Sequence, residues 1–120
     1  MNKKTLVIGA SLKTERYANK AIHKLKNYGH NVVAIGLKPG EVNGVTIDTK
    51  LMPYKAIDTV TLYLNSTRQK AYYKYIIDLN PKRVIFNPGT ENPAFYKLLQ
   101  ENKIKFEVAC TLVLLATDEY

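Results

Sequence analysis

Five residues in one short loop have the types to hold a phosphate. Gly9, Ala10 and Ser11 close an apolar run, and Lys13 and Arg16 follow before a helical pattern begins. A glycine at a strand end lets the main chain turn sharply and approach a ligand closely. The first-turn amides of the next helix point at that turn as unpaired donors, the arrangement that suits pyrophosphate. Ser11 adds a hydroxyl, and Lys13 and Arg16 add positive charge. The dinucleotide fingerprint asks for two further glycines, and this loop has neither. A tight turn with incidental basic residues accounts for the same letters.

The other loops narrow the chemistry. Enzymes that bind NAD place an acid near the end of the second strand to hold the ribose hydroxyls. Here that end reads Gly36-Leu37-Lys38-Pro39, with a lysine and no acid. This argues against NAD and leaves NADP or a 3′-phosphorylated nucleotide open. Asn65 and Ser66, and then Asn87, Pro88 and Gly89, offer amides and open backbone that suit a base or an amide chain. The same residues are ordinary turn formers.

No catalytic set emerges. His23 and His30 have no acid or cysteine at ligand spacing, so both read as surface histidines. Ser11 lacks the Gly-x-Ser-x-Gly elbow of a hydrolase. Cys110, the lone cysteine, excludes an intrachain disulfide framework and any multi-cysteine zinc site. Its apolar neighbours mark it as a small core hydrophobe. No metal is expected.

These loops must be held by something, and the pattern around them alternates. Residues 5–9, 31–36, 58–64, 83–86 and 104–109 read as strands, with 45–47 as a short extra one. Residues 17–28, 66–79 and 92–102 read as helices, and 111–116 as a short closing one. Gly29 stops the first helix and Asn92-Pro93 opens the third. Strand and helix in regular alternation imply an α/β, Rossmann-like, doubly wound and mainly parallel sheet, with helices on both faces making a single three-layer domain over residues 1–120. Right-handed crossovers give the order 3-2-1-4-5-6, with 45–47 at the edge. A ligand then sits outside the carboxyl ends of the first and fourth strands, where the loops above converge.

Length and composition agree. A chain of 120 residues with 46% hydrophobic and 23% charged residues can bury its own core and is not low-complexity. The run 112–116 is far shorter than the roughly 20 residues of a membrane span. No secretory signal and one cysteine make a reducing cytoplasm the expected address. Eighteen Lys and Arg against ten Asp and Glu give a net charge of +8, which attracts phosphorylated small molecules, membranes or nucleic acid. The lysines are dispersed and no recognition helix or aromatic RNA motif is evident, which argues against nucleic acid. The oligomeric state stays open.

Four blocks in order resemble a known family. They are Gly9-Ala10-Ser11 with Arg16 and Asn19, the Gly29 turn, the stretch from Phe86 to Asn92, and Ala109-Cys110-Thr111-Leu112. Over essentially the whole chain they are similar to the small stand-alone CoA-binding proteins of bacteria, which look like the CoA-binding domain of succinyl-CoA synthetase without its catalytic domain. The resemblance implies non-catalytic binding of coenzyme A or an acyl-CoA across the switch point. It implies that Gly9, Ala10, Ser11 and Arg16 cradle phosphates and that Lys38 and Pro39 lie beside the nucleotide. Asn65 and Ser66 with Asn87, Pro88 and Gly89 would line the rest. An NADP-type binder, or an interaction module with a vestigial pocket, is the alternative.

Overall fold

The residues of β1 (Thr5–Ala10) are apolar or small, with no polar alternation, because the strand lies mid-sheet with both faces covered. In a computed structural model, which describes residues 2–120, it pairs in parallel with β2 (Val32–Gly36) on one side and β5 (Thr59–Leu62) on the other. With β3 (Gly40–Val42), β4 (Val45–Asp48), β6 (Arg83–Phe86) and β7 (Lys105–Val108), the sheet order is β3-β4-β2-β1-β5-β6-β7. Every pairing is parallel except β3 with β4.

That exception corrects the expected edge. Val45–Asp48 is covered by an added strand from the turn-rich segment before it. Asn43 and Gly44 both take positive φ, 49° and 81°, which makes the two-residue turn that suits a twisted hairpin. The remaining six strands keep the expected order.

Helices α1 (Tyr17–Asn27) and α5 (Thr111–Ala116) cover one face. Ala18, Ile22, Leu25 and Leu115 pack there on Val7, Ala34 and Ile47. The other face carries α2 (Ser66–Gln69), α3 (Tyr73–Leu79) and α4 (Pro93–Glu101), whose Ile76, Phe95 and Leu99 pack on Leu6, Ile8, Val60 and Phe86. Burying a side chain of this size stabilises by about 1.5–3 kcal/mol. Several tyrosines, Tyr72, Tyr73, Tyr75 and Tyr96 among them, flank that larger cluster half-buried.

Helix ends follow local chemistry. After α1, Gly29 (φ 83°) donates to the Lys26 carbonyl and His30 to the Leu25 carbonyl, a left-handed glycine stop. Asn92 caps α4 by accepting from the Phe95 amide at 3.3 Å, with Pro93 in the first turn. The single helix expected over 66–79 is instead α2, a 3₁₀ turn at Lys70–Tyr72, and α3. At its start, fully buried Gln69 is anchored to two carbonyls outside the helix. No helix among the described residues is long and apolar enough to cross a membrane.

Candidate functional site at the carboxyl ends of the strands

From β1 the chain leaves to α1 on one face, and from the adjacent β5 it leaves to α2 on the other. The carboxyl ends of β1 and β5 therefore flank a switch point. Gly9 sits there with φ 95°, and a Cβ on it would lie 3.0 Å from the Tyr63 carbonyl carbon. Only glycine combines that backbone with that approach. Gly36 is held more tightly: its Cβ would fall 2.3 Å from the Ala10 carbonyl oxygen. Gly9, Ala10 and Gly36 thus form a close seam across β1 and β2, and Gly9 continues it to the end of β5.

The loop after the seam is wound on itself. The Ser11 hydroxyl accepts from the Lys13 amide at 3.1 Å, and the Arg16 amide donates to the Lys13 carbonyl at 3.1 Å. Buried Asn19 reaches back from α1 and donates to the Ser11 carbonyl at 2.9 Å. Arg16 occupies the cap position of α1 but makes no side-chain cap. The first-turn amides of α1 are therefore not claimed by their own cap residue. The side chains of Lys13, Arg16, Lys38 and Pro39 are exposed, Leu37 is 72% exposed, and all of them rim the same end of the sheet.

The remaining candidates divide into two kinds. Ser66, the first residue of α2, and Pro88 and Gly89, on the loop leaving β6, are exposed. Asn65 and Asn87 spend their side chains on the fold. Asn65 accepts from the Arg68 amide at 2.9 Å and caps α2. Asn87 is buried; its Nδ2 donates to Thr61 Oγ1 at 2.7 Å and to the Leu62 carbonyl at 2.9 Å, while its Oδ1 accepts from the Thr111 amide at 2.8 Å. It ties β5, β6 and α5 beneath the rim.

Sequence reasoning missed the second layer of that support. Gln69 Nε2 donates to the Leu64 carbonyl at 2.8 Å and to the Thr90 carbonyl at 2.7 Å. Asn92, read as a helix cap, also donates to Gln69 Oε1 at 2.9 Å and to the Tyr73 hydroxyl at 2.8 Å. Thr61 and Thr111 share a hydrogen bond at 2.8 Å. Beside them the Tyr63 hydroxyl is buried without a hydrogen-bond partner, and burial pushes its phenol well above the usual range.

Two expectations are corrected. Cys110 is half-buried at the carboxyl end of β7, in the cap position of α5, because the strand stops at Val108 before the chain enters the core. His30 is not simply a surface group. It lies at the opposite end of the sheet, where its Nδ1 accepts from the Lys3 amide at 2.9 Å and its ring packs 4.9 Å from Tyr120. Burial, then neighbouring positive charge that includes Lys3 and Arg83, lowers its pKa below the ordinary 6.5. Among the described residues no three of His, Cys, Asp or Glu come together to hold a metal ion.

The chain is similar over most of its length to several solved structures. A solved structure described as an uncharacterized protein is 47% identical, with a TM-score of 0.97, covering 100% of this chain and 99% of that one. A hypothetical protein from Pyrococcus horikoshii OT3 is 30% identical, with a TM-score of 0.82, covering 92% and 80%. A Thermus thermophilus protein shares the fold at 21% identity, with a TM-score of 0.85, covering 98% and 90%. None of the curated proteins matches. The family model of the CoA binding domain matches residues 3–116, nearly all of the Rossmann-like unit described above, and the chain belongs to that family.

Proposed function

We propose that the protein binds coenzyme A or an acyl-CoA at the carboxyl ends of β1, β2, β5 and β6, without catalysing a reaction on it. The observation that carries this reading is the Gly9 turn, which delivers the uncapped start of α1 to the switch point between two exposed cations, Lys13 and Arg16. That donor set suits a pyrophosphate: main-chain amides, an exposed guanidinium and an ammonium, with Glu15 the one carboxylate between Gly9 and Arg16. Lys38 at the end of β2 suits a phosphorylated ribose and has no acid beside it to prefer an unmodified one. Against catalysis, the buried polar side chains nearest the rim, Asn87, Thr61 and Thr111, are bonded to one another and to the main chain. They hold the loops in place, and the unpartnered Tyr63 hydroxyl beside them is kept protonated by its burial.

Titration calorimetry with CoA, dephospho-CoA and NADP tests the reading. CoA is expected to bind best, with Arg16→Ala weakening it at least tenfold while the melting temperature of the free protein stays put. A charge-assisted contact of this kind is worth about 1.5–3 kcal/mol. Lys38→Ala should narrow the gap between CoA and dephospho-CoA. No binding of CoA, or equal binding of NADP, would sink the proposal.

A further inference from the structure

One end of the sheet stops on an open strand. β7 pairs with β6 on its inner side, and nothing among the described residues pairs with its outer side. The Ala109 amide donates inward to the Phe86 carbonyl. By the alternation of a strand, the main-chain groups of Glu107 and Lys105 also face β6, and those of Phe106 and Val108 face outward. An edge of unpaired amides and carbonyls is a template for another strand. Beside it runs an open groove of about 620 Å³, lined in part by Ile104, Lys105, Phe106 and Glu107.

The side chains say which strand fits. Phe106 lies on the α4 side, its ring stacked 4.4 Å from Tyr96, and alternation puts Ile104 and Val108 on that side too. Val108 is 55% exposed, unusual for an apolar residue in a sheet. Lys105 and Glu107 lie on the other face, where Glu107 pairs with Arg83 at 2.9 Å and Lys105 makes no ion pair among the described residues. A second β7 laid antiparallel about a two-fold axis through Phe106 matches at every position. Phe106 faces Phe106 of the other copy, Val108 faces Ile104, and Lys105 faces Glu107, twice over. The register also pairs the main chain at its centre, because Phe106 carries an outward amide and carbonyl and so forms a hydrogen-bonded pair with itself. The Val108 amide faces the Ile104 carbonyl of the other copy, while the Ile104 amide stays on the Leu99 carbonyl of its own chain. Axes through Lys105 or Glu107 instead oppose like charges, which destabilises a strand pair.

We propose that the protein forms a two-fold dimer through β7, joining two seven-stranded sheets into one of fourteen with Phe106 on the axis. The contact is isologous, so it closes at two copies. It stands independently of the CoA reading, since no rim residue takes part.

Sedimentation velocity of the full chain from about 1 μM to about 1 mM tests it. The wild type should pass from 13.6 kDa monomer to dimer across that range. Lys105→Glu, on an exposed side chain, should keep the melting temperature and weaken the dimer about tenfold or more, because it sets Glu against Glu107 at both pairs. Glu107→Lys should weaken it likewise, and mixing the two variants should restore a heterodimer, since each Glu then meets a Lys. Should Glu107→Lys fail to fold, Lys105→Cys with Glu107→Cys in a Cys110→Ser background gives a second reading. Positions 105 and 107 of opposite copies form non-hydrogen-bonded pairs with Cα atoms about 4.5 Å apart, within disulfide reach. A disulfide-linked dimer is expected on oxidation. A wild type that stays monomeric throughout, a dimer indifferent to Lys105→Glu, or folded variants that neither recombine nor cross-link would overturn the proposal.

Discussion

At the scale of single residues, the polar side chains near the rim do more for the fold than for a ligand. Asn87 satisfies the Thr111 amide, the Leu62 carbonyl and Thr61 at once. Asn87→Ala leaves the Thr111 amide buried and unpaired, and the cost should be on the order of 3 kcal/mol, read as a shift of the urea midpoint. His30 makes a prediction in pH. Its pKa is lowered in the folded state by burial first and then by positive charge, with Asp58 opposing. The unfolded chain therefore takes up the proton more readily, so stability is level above 6.5 and falls as pH drops through 6.5 toward the folded value. Protonation at Nδ1 would also remove the acceptor for the Lys3 amide. Thermal melts should show this acid loss, and His30→Asn, which keeps an acceptor without a titrating ring, should flatten it. Asn87 was legible as a turn residue, but nothing nearby in the chain announces that its partners lie 24 to 26 residues away.

At the scale of elements, what the sequence made legible was what local chemistry decides. The apolar period of α1 and its Gly29 stop, and the Asn92-Pro93 start of α4, are carried by neighbouring residues and were readable. The β3–β4 hairpin had a local signal in Asn43-Gly44, outweighed by the shortness of the strands on either side. The break after α2 had none. It coincides with Gln69, whose partners at Leu64 and Thr90 come together only once β5 and β6 are paired. Gln69→Leu keeps the volume but strips the donor from two carbonyls and the acceptor from Asn92. We expect a loss of roughly 2–4 kcal/mol by urea unfolding. Gln69→Glu should be worse at neutral pH, because a carboxylate would then face both carbonyls.

At the scale of the whole molecule, a net charge of +8 is spread over the surface, and Lys13, Arg16 and Lys38 add local charge at one end. Binding of a polyphosphate anion there should weaken severalfold between low and high salt, since exposed charges are screened over about 10 Å at 0.1 M. Calorimetry with CoA across a salt series measures it, and a flat series would move the anion away from the exposed rim. The parallel order of the central strands gathers the β-to-α loops at that rim and leaves the other end to different tasks. There Arg83 reaches Thr59 and Glu107, its guanidinium lies 4.5 Å from the Tyr120 ring, and Tyr120 in turn bonds Thr5. The consequence is a division between what can change and what cannot. A library randomised at Lys13, Arg16, Lys38, Ser66 and Pro88 should leave most members folded while altering what they hold, whereas one randomised at Thr5, Thr59, Arg83 and Tyr120 should mostly yield chains that fail to fold. New ligand preferences could then accumulate at one end of this scaffold without spending its stability.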